Sequence, residues 1–264
     1  MSFLKHINRH AVRIGLSLFV MVLLLLNTIS VVNLSFVKGL ENYTYDARLN
    51  LTMPATQDER IVIVDIDEKS LREQGHWPWS RHKLARLVDK LFEDYNINTL
   101  GFDVVFAEED QSSGLKSLEQ IAASRKDDDY FQHALAELRP KLDYDQVFAS
   151  SLENRNVVLG YYFHRDPVAI SVGELPAPSI SPHDTVGSVL YHQANGYGAN
   201  LSVLQKNAKS AGHFNPAPDE DGISRRIPAL IGFNGEAYEA LSLAVARVAL
   251  GAKLSPGFAE GVGV

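Results

Sequence analysis

The sequence contains no cysteine. A disulfide-stapled ectodomain, a thiol catalyst and a thiolate metal site are therefore excluded. It has no Walker loop, no Gly-x-Gly-x-x-Gly fingerprint and no Gly-x-Ser-x-Gly nucleophile elbow. His76, His82, His164, His183, His192 and His213 show no metal-ligand spacing such as His-x-x-x-His. All 32 acidic residues lie after position 40, and the formal net charge is −7. That balance argues against nucleic acid and against an anionic membrane surface as the ligand. There is no internal repeat.

What is present begins with a basic leader carrying Lys5, Arg9 and Arg13, followed by 23 uncharged residues from Ile14 to Phe36. As a helix this run spans roughly 35 Å, enough to cross a bilayer core of about 30 Å. The apolar core is longer than that of a cleaved signal peptide, and no Ala-x-Ala site follows it. An uncleaved anchor with a cytoplasmic N-terminus is expected, because basic residues beside a membrane helix favour that side. Asn27, Thr28 and Ser30 read as residues near the outer interface. The expected organisation is a leader at 1–13, a transmembrane helix at 14–36, a juxtamembrane segment at 37–60 that continues the anchor helix over 37–51 and loops over 53–60, and a periplasmic domain at 61–264.

Within that domain the pattern is α/β, with a central, largely parallel sheet flanked by helices. Ile61-Val-Ile-Val-Asp-Ile66 is almost wholly apolar and β-branched, as in a strand buried on both faces. Residues 67–74 read as a short helix stopped by Gly75. Ser80 stands as N-cap of the next helix, whose Leu84, Leu87, Val88, Leu91, Phe92 and Tyr95 recur at helical spacing. Residues 99–106 form the second strand of a βαβ unit. The charged stretch 107–129 reads as a solvated loop. Helices are expected from 131 to Pro140 and over 144–152, and a strand over 157–163. Residues 166–212 form a long irregular region. A strand over 226–232, a tight turn at 232–235 and a helix over 238–250 follow.

Candidate chemistry lies in two places. Asp65, Asp67 and Asp103 fall at or near the carboxyl ends of the first two expected strands, where ligands collect in open α/β sheets. Three carboxylates there could bind Mg²⁺, and an Asp-x-Asp after a first strand resembles a phosphohydrolase. Glu68-Lys69 replaces the Gly-Thr such an enzyme carries next. Asp67 is equally suited to cap the short helix. The second place is Trp77-Pro-Trp-Ser-Arg81, where Pro78 stiffens a turn holding both tryptophans. It reads as a ligand-pocket wall (Trp77, Trp79, Arg81) or as a plug between helix and sheet. Asp219-Glu-Asp-Gly222 reads as a β-turn, since the remaining ligands of a calcium loop are absent.

Tyr45-Asp-Ala-Arg48, Ile61-Val-Ile-Val-Asp-Ile-Asp67, Trp77-Pro-Trp-Ser-Arg81, Gly101-Phe-Asp-Val-Val-Phe106, Val157-Val-Leu-Gly160 and Pro218-Asp-Glu-Asp-Gly-Ile-Ser-Arg225 occur in that order behind an anchor. Together they resemble the second class of CHASE domains, the cyclase- and histidine-kinase-associated extracellular sensors. The resemblance implies a sensory input module in the bacterial periplasm, anchored in the inner membrane. It implies a receptor output such as a nucleotide cyclase but supplies no catalytic residues and no agreed ligand; an unknown small molecule or envelope protein is expected as partner, and no cofactor. A homodimer is expected, because oligomers of this kind are mostly two-fold symmetric. The family's sensor continues beyond the segment matched here, so the chain is expected to be a fragment of a longer receptor or a stand-alone derivative. An envelope-anchored metal-dependent hydrolase and a non-catalytic interaction module are the alternatives.

Overall fold

A computed structural model describes residues 2–29, 31–32, 34–54, 56, 58–166, 170–180 and 192–254. Ser30, His183 and the last ten residues, all touched by the sequence reading, lie outside the described residues. The chain divides into two compact units, residues 1–64 and 65–264.

The first unit is helical. Helix α1 (Ser2–Thr28) carries the apolar run, and its portion His10–Thr28 is the one stretch among the described residues long and apolar enough to cross a membrane. The expected continuous helix is interrupted. Helix α2 (Ser35–Thr52) starts afresh after a break, with the Leu34 N–H donating to Asn27 Oδ1 at 2.8 Å. Asn27 thus accepts a hydrogen bond across the break between the two helices. Nothing in the unit buries a residue of α2, and Phe36, Leu40, Tyr43 and Leu51 are exposed along it.

Residues 61–66 correct the sequence reading. They are extended but belong to no strand, and Ile61, Val62, Ile63 and Val64 are all exposed, Ile63 to 89%. Branching at Cβ favours extended φ/ψ locally, but a strand needs a neighbour, and none lies beside this segment among the described residues. The expected βαβ unit is accordingly not formed.

The second unit is mixed α/β. After the short α3 (Glu68–Gln74), closed by Gly75 at φ 93°, comes α4 (Arg81–Glu93). Leu84, Ala85 and Val88 bury its apolar face, while Tyr95, expected on that face, lies beyond the helix and is exposed. Strand β1 is only Leu100–Gly101, much shorter than expected. The charged 107–129 stretch is not all loop, since α5 (Leu115–Ser124) forms within it. Helix α6 (Asp129–Leu142) runs through Pro140, which falls in the last turn and removes few helical hydrogen bonds there. Helix α7 (Tyr144–Leu152) and strand β2 (Val157–His164) match the expected bounds closely. The irregular region holds β3 (His192–Gln193), β4 (Gly196–Gly198) and α8 (Ser202–Asn207), and β5 (Ser210–His213) spans its end. Strands β6 (Leu230–Phe233) and β7 (Glu236–Glu239) make a hairpin whose Asn234 and Gly235 both have positive φ, so the expected helix begins only at α9 (Leu241–Ala249).

β2 organises the unit. It pairs in parallel with β1 and β5 and antiparallel with β4, while β3, β6 and β7 form a separate three-stranded sheet. On one face Phe102, Phe106 and Phe148 of α7 meet edge to face at 5.2–5.9 Å between ring centroids. On the other face α9 lies against glycines. A Cβ on Gly101 would sit 2.7 Å from Val245 Cγ2, and one on Gly212 would sit 2.5 Å from Leu241 Cα. Glycine at these positions is what lets the helix approach the sheet.

Candidate functional site

The corner between α3 and α4 is built from Trp77, Pro78, Trp79, Ser80 and Arg81. The Trp77–Pro78 bond is cis. The two indoles stand edge to face, 5.9 Å between centroids, and Trp79 Nε1 donates to the Gly75 carbonyl at 2.8 Å. Trp79 packs against the core, whereas Trp77 is exposed. Ser80 occupies the N-cap position of α4, but its hydroxyl meets His82 Nδ1 at 2.9 Å instead of a helix N–H. That corrects the expected capping bond.

Arg81 is the hub. It is buried, with its guanidinium 4.6 Å over the Phe106 ring. Its Nη2 donates to the Glu108 carbonyl at 3.2 Å, and its backbone N–H donates to Asp110 Oδ2 at 2.5 Å. The Asp110 N–H in turn donates to Asp145 Oδ2 at 2.8 Å. Arg81 Nε lies 3.5 Å from Asp145 Oδ1, and neither atom has a hydrogen-bond partner. Burial pulls the guanidinium below its ordinary value, against the opposing influence of Asp145, Asp110 and Glu108. Burial also raises the Asp145 carboxyl, outweighing the Asp110 N–H and the charge of Arg81. Burial acts the same way on Asp110, but the Ser112 hydrogen bonds, the Arg81 N–H and the Arg81 charge hold it below the usual range. The result is an ion pair in which desolvation dominates attraction.

The carboxylate trio is placed otherwise. Asp67 is the N-cap of α3, accepting from the Ser70 N–H at 2.8 Å and hydroxyl at 2.6 Å, which lowers its pKa. Asp65 and Asp103 are exposed. No contact joins the three among the described residues, and no group of three or more His, Asp or Glu there is placed to hold a metal. Asp219, Asp221 and Gly222 form the expected turn, closed by the Gly222 N–H on the Asp219 carbonyl. Arg225 clamps both aspartates and holds Asp221 at about 2.

Three functional-looking groups escaped the sequence reading. Asp110 was legible only as part of a solvated run, and Asp145 only as a helix residue. Their signal would have been a buried Arg at a helix start in need of acids. The third is His213, which reads from the sequence as a surface residue and is instead in the core. It is fully buried beside Phe163 at 6.0 Å, with both ring nitrogens unpaired, and burial pulls it down to about 4.

A family model for the CHASE2 domain matches residues 17–261, nearly the whole chain. The chain belongs to this family of extracellular sensory domains. No curated protein and no solved structure matches it.

Proposed function

We propose that the chain is the extracytoplasmic input module of a membrane-bound receptor, controlling a nucleotide cyclase. The family match over residues 17–261 carries this reading, supported by the apolar span His10–Thr28. In it the basic leader remains in the cytoplasm of a bacterium, α1 crosses the inner membrane, and the α/β unit works in the periplasm on its parallel-paired strands. The module is a homodimer. The exposed stripe Phe36, Leu40, Tyr43 and Leu51 along α2, which buries no residue within its own unit, is an apolar seam suited to a second copy. The ligand is a small molecule or an envelope protein, received at the corner of Trp77, Trp79 and Arg81. There the exposed Trp77 indole stands against Trp79, two residues before an ion pair that has no hydrogen bond between its partners. Both Arg81 Nε and Asp145 Oδ1 are buried, so a group could bond either only once the corner opens, and such a group would favour the open state over the closed one, a differential affinity between two states. Asp65, Asp67 and Asp103 contribute at most to the rim of the site.

Two measurements test this. A periplasm-dependent reporter fused after Lys38 should be active, and a cytoplasm-dependent one silent. The reverse pattern would end the topology. Deleting the codons for residues 65–254 from the gene in its genomic context should change cellular cyclic AMP or cyclic GMP. A change confined to cyclic di-GMP or to phosphotransfer would move the output to another class.

A further inference from the structure

We infer that the rim formed by Tyr197, Phe233 and Glu236 binds a small organic cation carrying an alkylammonium group. Four aromatic rings and one carboxylate converge there. Phe163 of β2 and Tyr197 of β4 are register partners on one face of their sheet. Phe233 of β6 and Glu236 of β7 are partners across the hairpin, and Tyr238 follows Glu236 on the same face of β7. The two faces meet. The Phe163 ring lies 5.9 Å from Phe233 and 5.5 Å from Tyr238, and the Tyr197 ring lies 5.4 Å from Phe233. Phe163 and Tyr238 are buried and make a floor. Tyr197, Phe233 and Glu236 are half-buried, so the rim is partly open to solvent. The Tyr197 and Phe233 rings stand at 89°, as two walls at right angles.

What this cluster lacks is a positive charge. Glu236 accepts a hydrogen bond from the Tyr238 hydroxyl on Oε2 at 2.9 Å. Among the described residues no Lys, Arg or His is paired with it, and no Lys or Arg stands over any of the four rings. Elsewhere in the unit half-buried and buried acids are provided for. Glu239 is held by Arg247, and Asp219 by Arg225. Burial and the bond to Glu236 raise the Tyr238 pKa. The phenol therefore stays a donor, and the carboxylate beside it keeps its charge.

The class of occupant follows from that chemistry. The face of an aromatic ring carries negative potential and attracts a cation within about 6 Å of its centroid. Glu236 adds a full negative charge beside such faces, so an anion is repelled, and a neutral apolar group gains nothing from the carboxylate. A hard metal ion takes about six oxygens or more. The rim offers the Glu236 carboxylate and the Tyr197 and Tyr238 phenols, and no metal-holding group occurs among the described residues. A compact ammonium clothed in methyl or methylene groups satisfies both features, its charge toward Glu236 and its carbons against the rings. The rim shares no residue with the Trp77–Arg81 corner, so the failure of either site leaves the other standing.

Choline is the probe, and dimethylbutanol, which has carbon in place of its nitrogen, is the uncharged control. Both are titrated calorimetrically into the full-length chain held in lipid discs of phosphatidylglycerol. Choline should bind saturably, and dimethylbutanol about tenfold more weakly or not at all. Glu236→Gln keeps an acceptor for the Tyr238 hydroxyl and removes only the charge. It should weaken choline about tenfold and leave the thermal melt unchanged. Tyr197→Leu removes one wall and should weaken choline about fivefold, whereas Tyr197→Phe keeps the ring and should bind as the wild type does. Equal binding of choline and dimethylbutanol would overturn the inference and return these rings to plain packing. So would unchanged binding in Glu236→Gln, or a loss in Tyr197→Phe as large as in Tyr197→Leu. No saturable binding of choline, measured against sodium chloride at matched ionic strength, would overturn it as well. Binding should persist in discs of phosphatidylcholine. Its loss there would overturn a soluble ligand in favour of a lipid headgroup.

Discussion

Among the described residues of the second unit, Arg247 and Arg81 each face a buried or nearly buried carboxylate, and the two pairs are solved in opposite ways. Arg247 of α9 grips Glu239 of β7 with Nε at 3.0 and 3.1 Å and Nη2 at 2.5 Å, and gives a further bond to Ser210 Oγ at 2.8 Å. Hydrogen bonding to Glu239 raises the Arg247 pKa. Arg81 faces Asp145 at 3.5 Å with no hydrogen bond between them, and burial lowers its pKa. A buried charge is tolerated when its donors and acceptors are matched, and otherwise weighs on the folded state. The Arg247 pair is a finished clamp that ties α9 to β7 and β5. The Arg81 network holds its place through the carbonyl of Glu108, the ring of Phe106 and a neighbouring acid. It retains bonding capacity that no described residue uses.

The contrast is broken most severely at the clamp. Arg247→Ala would leave Glu239, 2% exposed, with its charge buried and its strongest donors gone. Such a loss costs about 3–5 kcal/mol, so the isolated α/β unit should melt far lower, or fail to fold, in a denaturation series. Replacing both partners together, Arg247→Met with Glu239→Leu, should recover much of the loss. If the single change melts like the wild type, the clamp is not a clamp.

Next in size is a third buried polar group, with no partner at all. His213 titrates near 4 in the folded protein against 6.5 in an unfolded chain. Its folded pKa is lowered, so between those values the unfolded chain takes up a proton the folded one refuses. Stability contributed by the neutral ring is therefore full above about pH 6.5 and falls as pH drops toward 4. The loss is on the order of 3 kcal/mol. Tyr161 and Tyr238, its buried neighbours, have pKa values raised far from this window. The melting temperature should fall between pH 6.5 and 4.5 in the wild type and distinctly less in His213→Leu. Equal slopes would remove His213 as the cause.

Much of the second unit was legible because local chemistry and tertiary context agree there. Asp67 caps a helix that stops at Gly75, Asn234-Gly235 lies in the expected turn although the strand after it does not follow from the sequence reading, and 157–164 is buried as its composition demands. The failures come where an identical local signal meets a different surrounding. Residues 61–66 and 157–164 carry much the same apolar, β-branched pattern. Only the second has strands on both sides, and composition does not report a neighbour. Glu108-Glu-Asp110 reads as solvated because acids usually are. What recruits Asp110 inward is Arg81, 29 residues earlier. The Trp77–Arg81 corner stood out by its residue types, but the network around Arg81 depends on Asp145, which no spacing rule connects to it.

The smallest predicted effect is the sharpest test of the comparison. Asp145→Asn removes the carboxylate facing Arg81 yet preserves an oxygen for the Asp110 N–H. Because Arg81 keeps Asp110, the Glu108 carbonyl and the Phe106 ring, and because no Arg81–Asp145 hydrogen bond exists to lose, the cost at neutral pH should be below about 1 kcal/mol. The sign of its pH dependence is fixed as well. Burial raises the folded pKa of Asp145 above its ordinary 3.8. The wild type therefore holds a stabilising contribution from the protonated acid below that value and loses it as pH rises through the folded pKa. The asparagine, which never ionises, escapes that loss. The difference in melting temperature between variant and wild type should thus move in the variant's favour from pH 3.5 to 7. Glu239→Gln at the clamp should cost several times more at pH 7. Should Asp145→Asn prove as damaging as Glu239→Gln, the Arg81 pair would be as tightly committed as the Arg247 pair. The corner would then have no unmade bond to offer a ligand.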